Sequence, residues 1–213
     1  MNQNRLSPPE SEACLIRLRS STQKGGTLIA EEIIDHATHE RRICDPDGYR
    51  PPFCPRCGGR CLHVHDYRER VLRAEAGKPV TRIVRLVCVS CDAIWQILPL
   101  FIARHLWRTW NVVRQALMPD GQVSSSPSAP QHWPKVPPRT VRRWRARWLR
   151  PALALAQILA SSGQATWAAL ATRLRSEATC SDLVAAYARE HIGPPLAALA
   201  ALLYRLQPKV RLM

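Results

Sequence analysis

Two pairs of cysteines carry the clearest chemistry in this sequence. Cys54-Pro55-Arg56-Cys57-Gly58 and Cys88-Val89-Ser90-Cys91 are both C-x2-C turns, thirty residues apart. Each turn is tight enough to aim two sulfurs at one point, and Gly58 permits the left-handed backbone that often follows. Brought together, the pairs would form the tetrahedral four-thiolate environment that zinc prefers, although soft thiolates also suit iron. The expected cofactor is one structural Zn2+ held by Cys54, Cys57, Cys88 and Cys91. A site closed by four ligands keeps no position for water, so it is assigned no catalysis. Cys61, His63 and His65 are near enough to compete as ligands. Four thiolates already saturate the ion, however, and two histidines spaced by two would share one face of a strand. A redox role for the pairs lacks the expected βαβ context. Cys14, Cys44 and Cys180 have no partner at this spacing and are expected to pack.

The second informative segment is Pro137–Arg150, PPRTVRRWRARWLR. Wound as a helix, Val141, Trp144, Trp148 and Leu149 form an apolar stripe, with Arg139, Arg142, Arg143, Arg147 and Arg150 spread opposite. Pro138 is tolerated in a first turn. A helix packed on one face and fanned with guanidinium groups on the other suits the major groove, where arginine pairs with guanine edges or phosphates. The DNA-contacting set expected here is Arg139, Thr140, Arg142, Arg143, Arg147 and Arg150. The bland alternative is a solvated arginine face on a helix that merely packs through its tryptophans.

Charge supports the first reading. The 213 residues carry a formal net charge of +15, which predicts attraction to polyanions. It is concentrated: residues 121–150 hold 7 Lys/Arg and no Asp/Glu, whereas residues 1–50 hold 7 and 8. Localisation is what a phosphate-contacting surface needs. The start of the chain shows no apolar core ahead of its charges, as a secretory signal would. The Ala/Leu-rich stretches at 153–160 and 196–206 are shorter than the roughly 20 residues of a membrane span. A cytoplasmic, nucleoid-associated protein without membrane contact is expected, and in that reducing compartment paired cysteines favour metal over disulfide.

The elements that must position these groups divide the chain into four segments. Residues 1–50 read as a strand (Cys14–Arg19), a Gly25-Gly26 turn and a helix from Thr27, whose Leu28, Ile29, Ile33, Ile34 and Ala37 recur at helical spacing. Residues 51–101 read as a zinc ribbon, with strands Val64–Leu72, Val80–Cys88 and Ala93–Leu98 around a turn at 75–79. Residues 102–150 read as a helix over Ile102–Met118, a Pro/Ser-rich linker and the arginine helix. Residues 151–213 read as helices near 151–161, 165–176, 181–191 and 195–206. Ser181 and Asp182 are available as caps. These alanine-rich helices suit either a bundle or a homodimer face. The fold class expected is α+β, mostly α: a four-cysteine ribbon, a helix-turn-helix-like segment and a C-terminal helical bundle.

Residues 53–101 resemble the N-terminal zinc ribbon of insertion-sequence transposases of the ISL3 type. The likeness lies in C-P-x-C-G, a strand ending His65-Asp66-Tyr67-Arg68-Glu69-Arg70, a Gly-containing turn, a strand into C-x2-C, and Leu98-Pro99. The arginine helix likewise resembles the recognition helix of helix-turn-helix transposases and regulators, with its T-V-x-R-W core. It departs from them in the proline-rich stretch that stands where a first helix is normally found. These resemblances imply binding to double-stranded DNA at the ends of a mobile element. They do not imply catalysis, since such a nuclease needs clustered carboxylates on an RNase H-like core. After Asp120 the only acids are Glu177, Asp182 and Glu190, all on predicted helices. The protein is therefore expected to be a DNA-binding module or regulator and not an enzyme. The alternatives are a zinc-stapled protein-interaction adaptor and an inactive transposase remnant. Interleaved Arg104, His105, Trp107, Arg108, Trp110 and Arg114 could stack on bases, but packing is the simpler reading. His191 and Tyr204 are expected to be structural.

Overall fold

The computed structural model describes residues 24–74, 77–117, 136–150, 152–161, 172, 178–191, 193–210 and 212. The fold is α+β, built on a mixed four-stranded sheet in the order β1-β4-β3-β2. Strand β2 (Leu62–Val71) and strand β3 (Val80–Cys88) form a long antiparallel hairpin, and β4 (Ile94–Pro99) adds antiparallel to β3. Buried Ile83 and Leu86 on β3 and Leu62 and Leu72 around β2 form the floor of the sheet core. An Arg85–Asp66 ion pair with two parallel N–H···O bonds ties β3 to β2 across the hairpin. The three strands thus lie within two residues of the β-rich runs read on either side of the turn-like cluster at 75–79.

The N-terminal part differs from expectation. Lys24–Ala30 is not a turn followed by a helix but strand β1, parallel to β4 with Leu28 opposite Ile97 and Ile29 opposite Leu98. The helix starts only at His36 (α1, His36–Arg42), where Asp35 caps it by accepting from the Thr38 N–H at 2.7 Å. An open β4 edge offers a row of unpaired backbone groups, and pairing them outweighs a helical apolar period that a strand can also satisfy. Gly25 shows how close that approach is, because a Cβ there would lie 2.0 Å from the Ile94 carbonyl oxygen. The expected strand Cys14–Arg19 falls outside the described residues.

Behind the sheet, α1 and a 3-10 turn (Pro46–Tyr49) place a buried polar triad. His39 Nε2 donates to the Arg82 carbonyl at 2.8 Å, which leaves Nδ1 to accept from the Tyr49 hydroxyl at 2.6 Å. Burial lowers the His39 pKa and raises that of Tyr49, so the neutral pair is the folded form.

Residues 102–118 hold a second correction. In place of one helix there is a two-residue hairpin, β5 (Ile102–Ala103) and β6 (Arg108–Thr109), and then a shorter helix α2 (Trp110–Leu117). His105 and Trp107 sit in left-handed backbone at φ 67° and 50°. The chain bends because β6 pairs with residue 73: Arg73 N–H donates to Trp107 O at 2.9 Å and Thr109 N–H to Arg73 O at 3.2 Å. Thr109 then starts α2, its hydroxyl accepting from the Val112 N–H.

The helical part comprises α3 (Pro138–Trp148), α4 (Leu153–Ala160), α5 (Cys180–Glu190) and α6 (Pro195–Leu206). The helix expected near 165–176 lies outside the described residues except for Thr172. Helix α5 is capped by Thr179 in a reciprocal box with Asp182, with Ser181 inside the first turn. Trp144, Trp148, Leu159, Leu183, Leu199 and Leu203 share one core with Val113 and Leu117 of α2. Cys180 is buried as expected, but Cys44 is exposed. Helix α6 docks on the edge of the sheet through Tyr204, whose hydroxyl donates to Thr27 O at 2.9 Å, and through an Arg205–Glu31 pair at 3.0 Å. No helix among the described residues is long and apolar enough to cross a membrane.

Trp144→Ala should destabilise the protein by about 3–5 kcal/mol, read as a shift of the urea midpoint, because it empties a 2% exposed site at the centre of the helical core. His39 gives a pH signature. Its folded pKa lies below the unfolded value of about 6.5, so the unfolded chain binds more protons between the two. Its contribution is complete above about pH 6.5 and is lost as pH falls toward the folded pKa. Stability of His39→Gln, compared with wild type from pH 7.5 to 5.5, should therefore fall less steeply.

Candidate metal centre and basic helix

The two cysteine turns have the same backbone. In the first, Gly58 N–H donates to Cys54 O at 2.9 Å and Cys54 N–H to Gly59 O at 2.7 Å. In the second, Asp92 N–H donates to Cys88 O at 2.9 Å and Cys88 N–H to Ala93 O at 3.0 Å. Both turns are completed by a left-handed residue, Gly58 at φ 72° and Asp92 at φ 56°. Nothing lies within 4 Å of a Cβ built on Gly58, so that glycine serves backbone angle and not space. Gly59 serves space: a Cβ there would meet the Ser90 hydroxyl at 2.7 Å, across the seam between the turns. A further bond, Val89 N–H to Cys61 O at 3.0 Å, holds the turns side by side.

This pairing brings together all four sulfurs expected from the sequence. They lie within 4.8 Å of one another, with Cys54 to Cys91 at 3.7 Å and Cys57 to Cys88 at 3.6 Å. A tetrahedron of metal–sulfur bonds of about 2.3 Å has an edge of about 3.8 Å. A disulfide needs about 2.05 Å. The donor set therefore fits a thiophilic metal ion and not a pair of disulfides. Cys54 and Cys88 are buried, whereas Cys57 is exposed and Cys91 half-buried, so one sulfur of each turn faces inward. Cys61, His63 and His65 are exposed and stand outside the cluster.

The site is electrostatically uneven. Burial alone would raise the Cys54 thiol, but the backbone N–H groups of Arg56 and Cys57 and the Trp95 indole bring it down to about 6. The buried Trp95 N–H has no oxygen acceptor, which suits a neighbouring thiolate. Burial and the adjacent sulfurs push Cys91 up to about 12 and raise Cys88. Cys54 is the ready thiolate; Cys88 and Cys91 keep their protons until a cation replaces them.

Helix α3 carries the expected arginine set in a nearly matching arrangement. Trp144 and Trp148 are buried, and Arg139, Arg142, Arg143 and Arg150 are exposed. Thr140 and Arg147 are half-buried along one flank. Two details differ. Leu149, placed in the apolar stripe by sequence, is 65% exposed, since five residues from Trp144 is about 140° around a helix and α3 ends at Trp148. Arg145 is exposed on the opposite flank and extends the basic face, and the same angular count would have found it. No ion pair among the described residues involves an arginine of α3. The interleaved aromatics of 104–110 do pack: Trp107 sits against the sheet core and Trp110 against the helical one.

Residues 54–144 match a family described as Domain of unknown function (DUF6431). The matched span runs from Cys54 to Trp144, so both cysteine turns and the first part of α3 fall within it. No curated protein and no solved structure matches the chain.

Metal uptake by the metal-free protein should release more than one proton, because Cys88 and Cys91 must ionise to bind. Affinity should accordingly rise with pH. Calorimetric titrations in buffers of different ionisation enthalpy measure the proton count, and Cys91→Ser should lower both it and the affinity.

Proposed function

We propose that the protein is a zinc-stabilised binder of double-stranded DNA, serving as a transposase-like binding module or regulator associated with a mobile element. The observation that carries this reading is the outer face of α3. It presents Arg139, Arg142, Arg143 and Arg145 together, opposite buried tryptophans, with no acidic partner among the described residues. Unneutralised arginines held at fixed spacing on a rigid helix are what phosphate and guanine contacts require. Helix α2 packs against α3 through Val113 and Leu117 and takes the part of the first helix of a helix-turn-helix, with α3 as the recognition helix. The Pro/Ser-rich stretch between them makes this a long-linked version of that motif. The link to mobile elements rests on the ribbon's resemblance to ISL3-type transposases, and a nucleoid location follows from DNA binding.

Zinc is the favoured ion because four thiolates in a closed tetrahedron match its chemistry and leave no open position. The ion is a structural clamp, and no catalytic step is assigned to the protein. It holds the ends of β2 and β3, and its loss should unfold that region, since structural zinc contributes on the order of 10 kcal/mol in small zinc domains.

Freshly purified protein should contain one zinc per chain, and Cys54→Ser should contain none. Arg142→Ala combined with Arg143→Ala should retain zinc and fold but bind duplex DNA more weakly. The slope of log K against log salt should fall by nearly 2, at about 0.9 per lost phosphate contact. A double variant that tracks wild type across a salt titration would remove α3 from the interface. Salt-independent or absent duplex binding by wild type would favour the protein-interaction adaptor instead.

A further inference from the structure

Arg108 is the most deeply buried cation among the described residues, at 4% exposure, and its Nη1 has no hydrogen-bond partner. Its backbone forms an isolated parallel bridge with Arg73 at the end of the 102–109 hairpin, close enough for each side chain to feel the other's charge. Arg73 is exposed. Neither arginine takes part in an ion pair among the described residues. A third, Arg70, lies with its guanidinium 5.4 Å from the centre of the Trp107 ring, and Arg108 lies 5.7 Å from that of Trp144. Burial, and then the Arg73 charge, make the Arg108 cation harder to hold.

Two adjacent arginines with an unused buried donor and no acidic partner among the described residues form an incomplete electrostatic arrangement. An anion supplies the missing partner. A phosphate group fits best, since its oxygens can accept from two guanidinium groups together. Position points the same way. Arg108 rests on Trp144 of α3, at the inner side of the proposed recognition helix. A helix is about 10–12 Å across and the major groove about 12 Å wide. Arg108 thus lies on the core side of α3, opposite its arginine fan, and exposed Arg73 is the member of the pair that reaches outward to a strand backbone bordering the groove. We propose that Arg73 and Arg108 form a single-phosphate site, filled by a DNA backbone phosphate in the bound state. This assignment to DNA rests on the function proposed above. Arg73 makes the contact from solvent, and Arg108 supplies the second, buried donor to the same phosphate. Free phosphate shares the chemistry and is the other source.

The test uses the full-length, metal-loaded protein and two readouts: duplex binding over a salt titration in a phosphate-free buffer, and thermal unfolding in inorganic phosphate against chloride at equal ionic strength. Arg73→Gln alters an exposed side chain and should fold with its metal intact. It should reduce the salt slope by about 0.9 and abolish phosphate-specific stabilisation, while Arg142→Ala with Arg143→Ala keeps that stabilisation. Arg108→Gln should do the same as Arg73→Gln if it folds. Phosphate protection lost in Arg73→Gln, with no duplex binding by wild type, would uphold the site with free phosphate as its ligand while the DNA reading fails. Wild-type behaviour of Arg73→Gln in both readouts would overturn the site even if α3 proves to bind DNA.

Discussion

The seam between the two cysteine turns is the constraint on which the rest of the architecture depends. Cys88 ends β3, and Cys54 stands a few residues ahead of β2, so drawing the four sulfurs together sets the register of the β2–β3 hairpin from its open end. That register puts Arg85 opposite Asp66 and Ile83 and Leu86 into the core. Strand β4 leaves the second turn directly, and β1 then pairs with β4. A small sheet with one covered face has little apolar area of its own, and a metal clamp compensates for that in many small domains.

The sheet and the helices are joined by few but specific contacts. Leu100 meets Ala197 and Ala201 of α6, where small side chains let the helix lie close to the strand edge. The Arg104 guanidinium stacks 3.8 Å from the centre of the Tyr204 ring and donates to the Pro208 carbonyl, while Tyr204 itself bonds Thr27. The last helix is thus tied to β1 by one hydrogen bond and to the residue after that strand by an ion pair. Both His191 and Tyr204, which look solitary in the sequence, have partners: His191 stacks on Tyr187 at 4.1 Å.

The charge distribution separates two kinds of arginine. Arg85 and Arg205 are paired with Asp66 and Glu31 and stabilise the fold. Those of α3, and Arg73 with Arg108, have no acidic partner among the described residues, which costs folding stability unless an anion is gained later.

Much of the candidate site could be read from local sequence. The C-x2-C turns are self-contained, because two cysteines and a left-handed residue define a turn by themselves, and strands β2 to β4 follow from β-rich runs bounded by turn residues. The tryptophan stripe and arginine fan of α3 follow from 100° per residue. Caps are less legible: Ser181 and Asp182 are the expected caps of α5, but Thr179 starts it and Asp182 only completes the box. What only the tertiary structure decided is non-local. Leu28 to Ala37 satisfies a helical period, yet the β4 edge 70 residues away turns its first part into a strand. Residues 102–109 are drawn out of a helix by pairing with Arg73, and that pairing sets two arginines side by side. Local sequence determines what a segment can form; the unpaired backbone groups of distant segments determine which of those forms is kept.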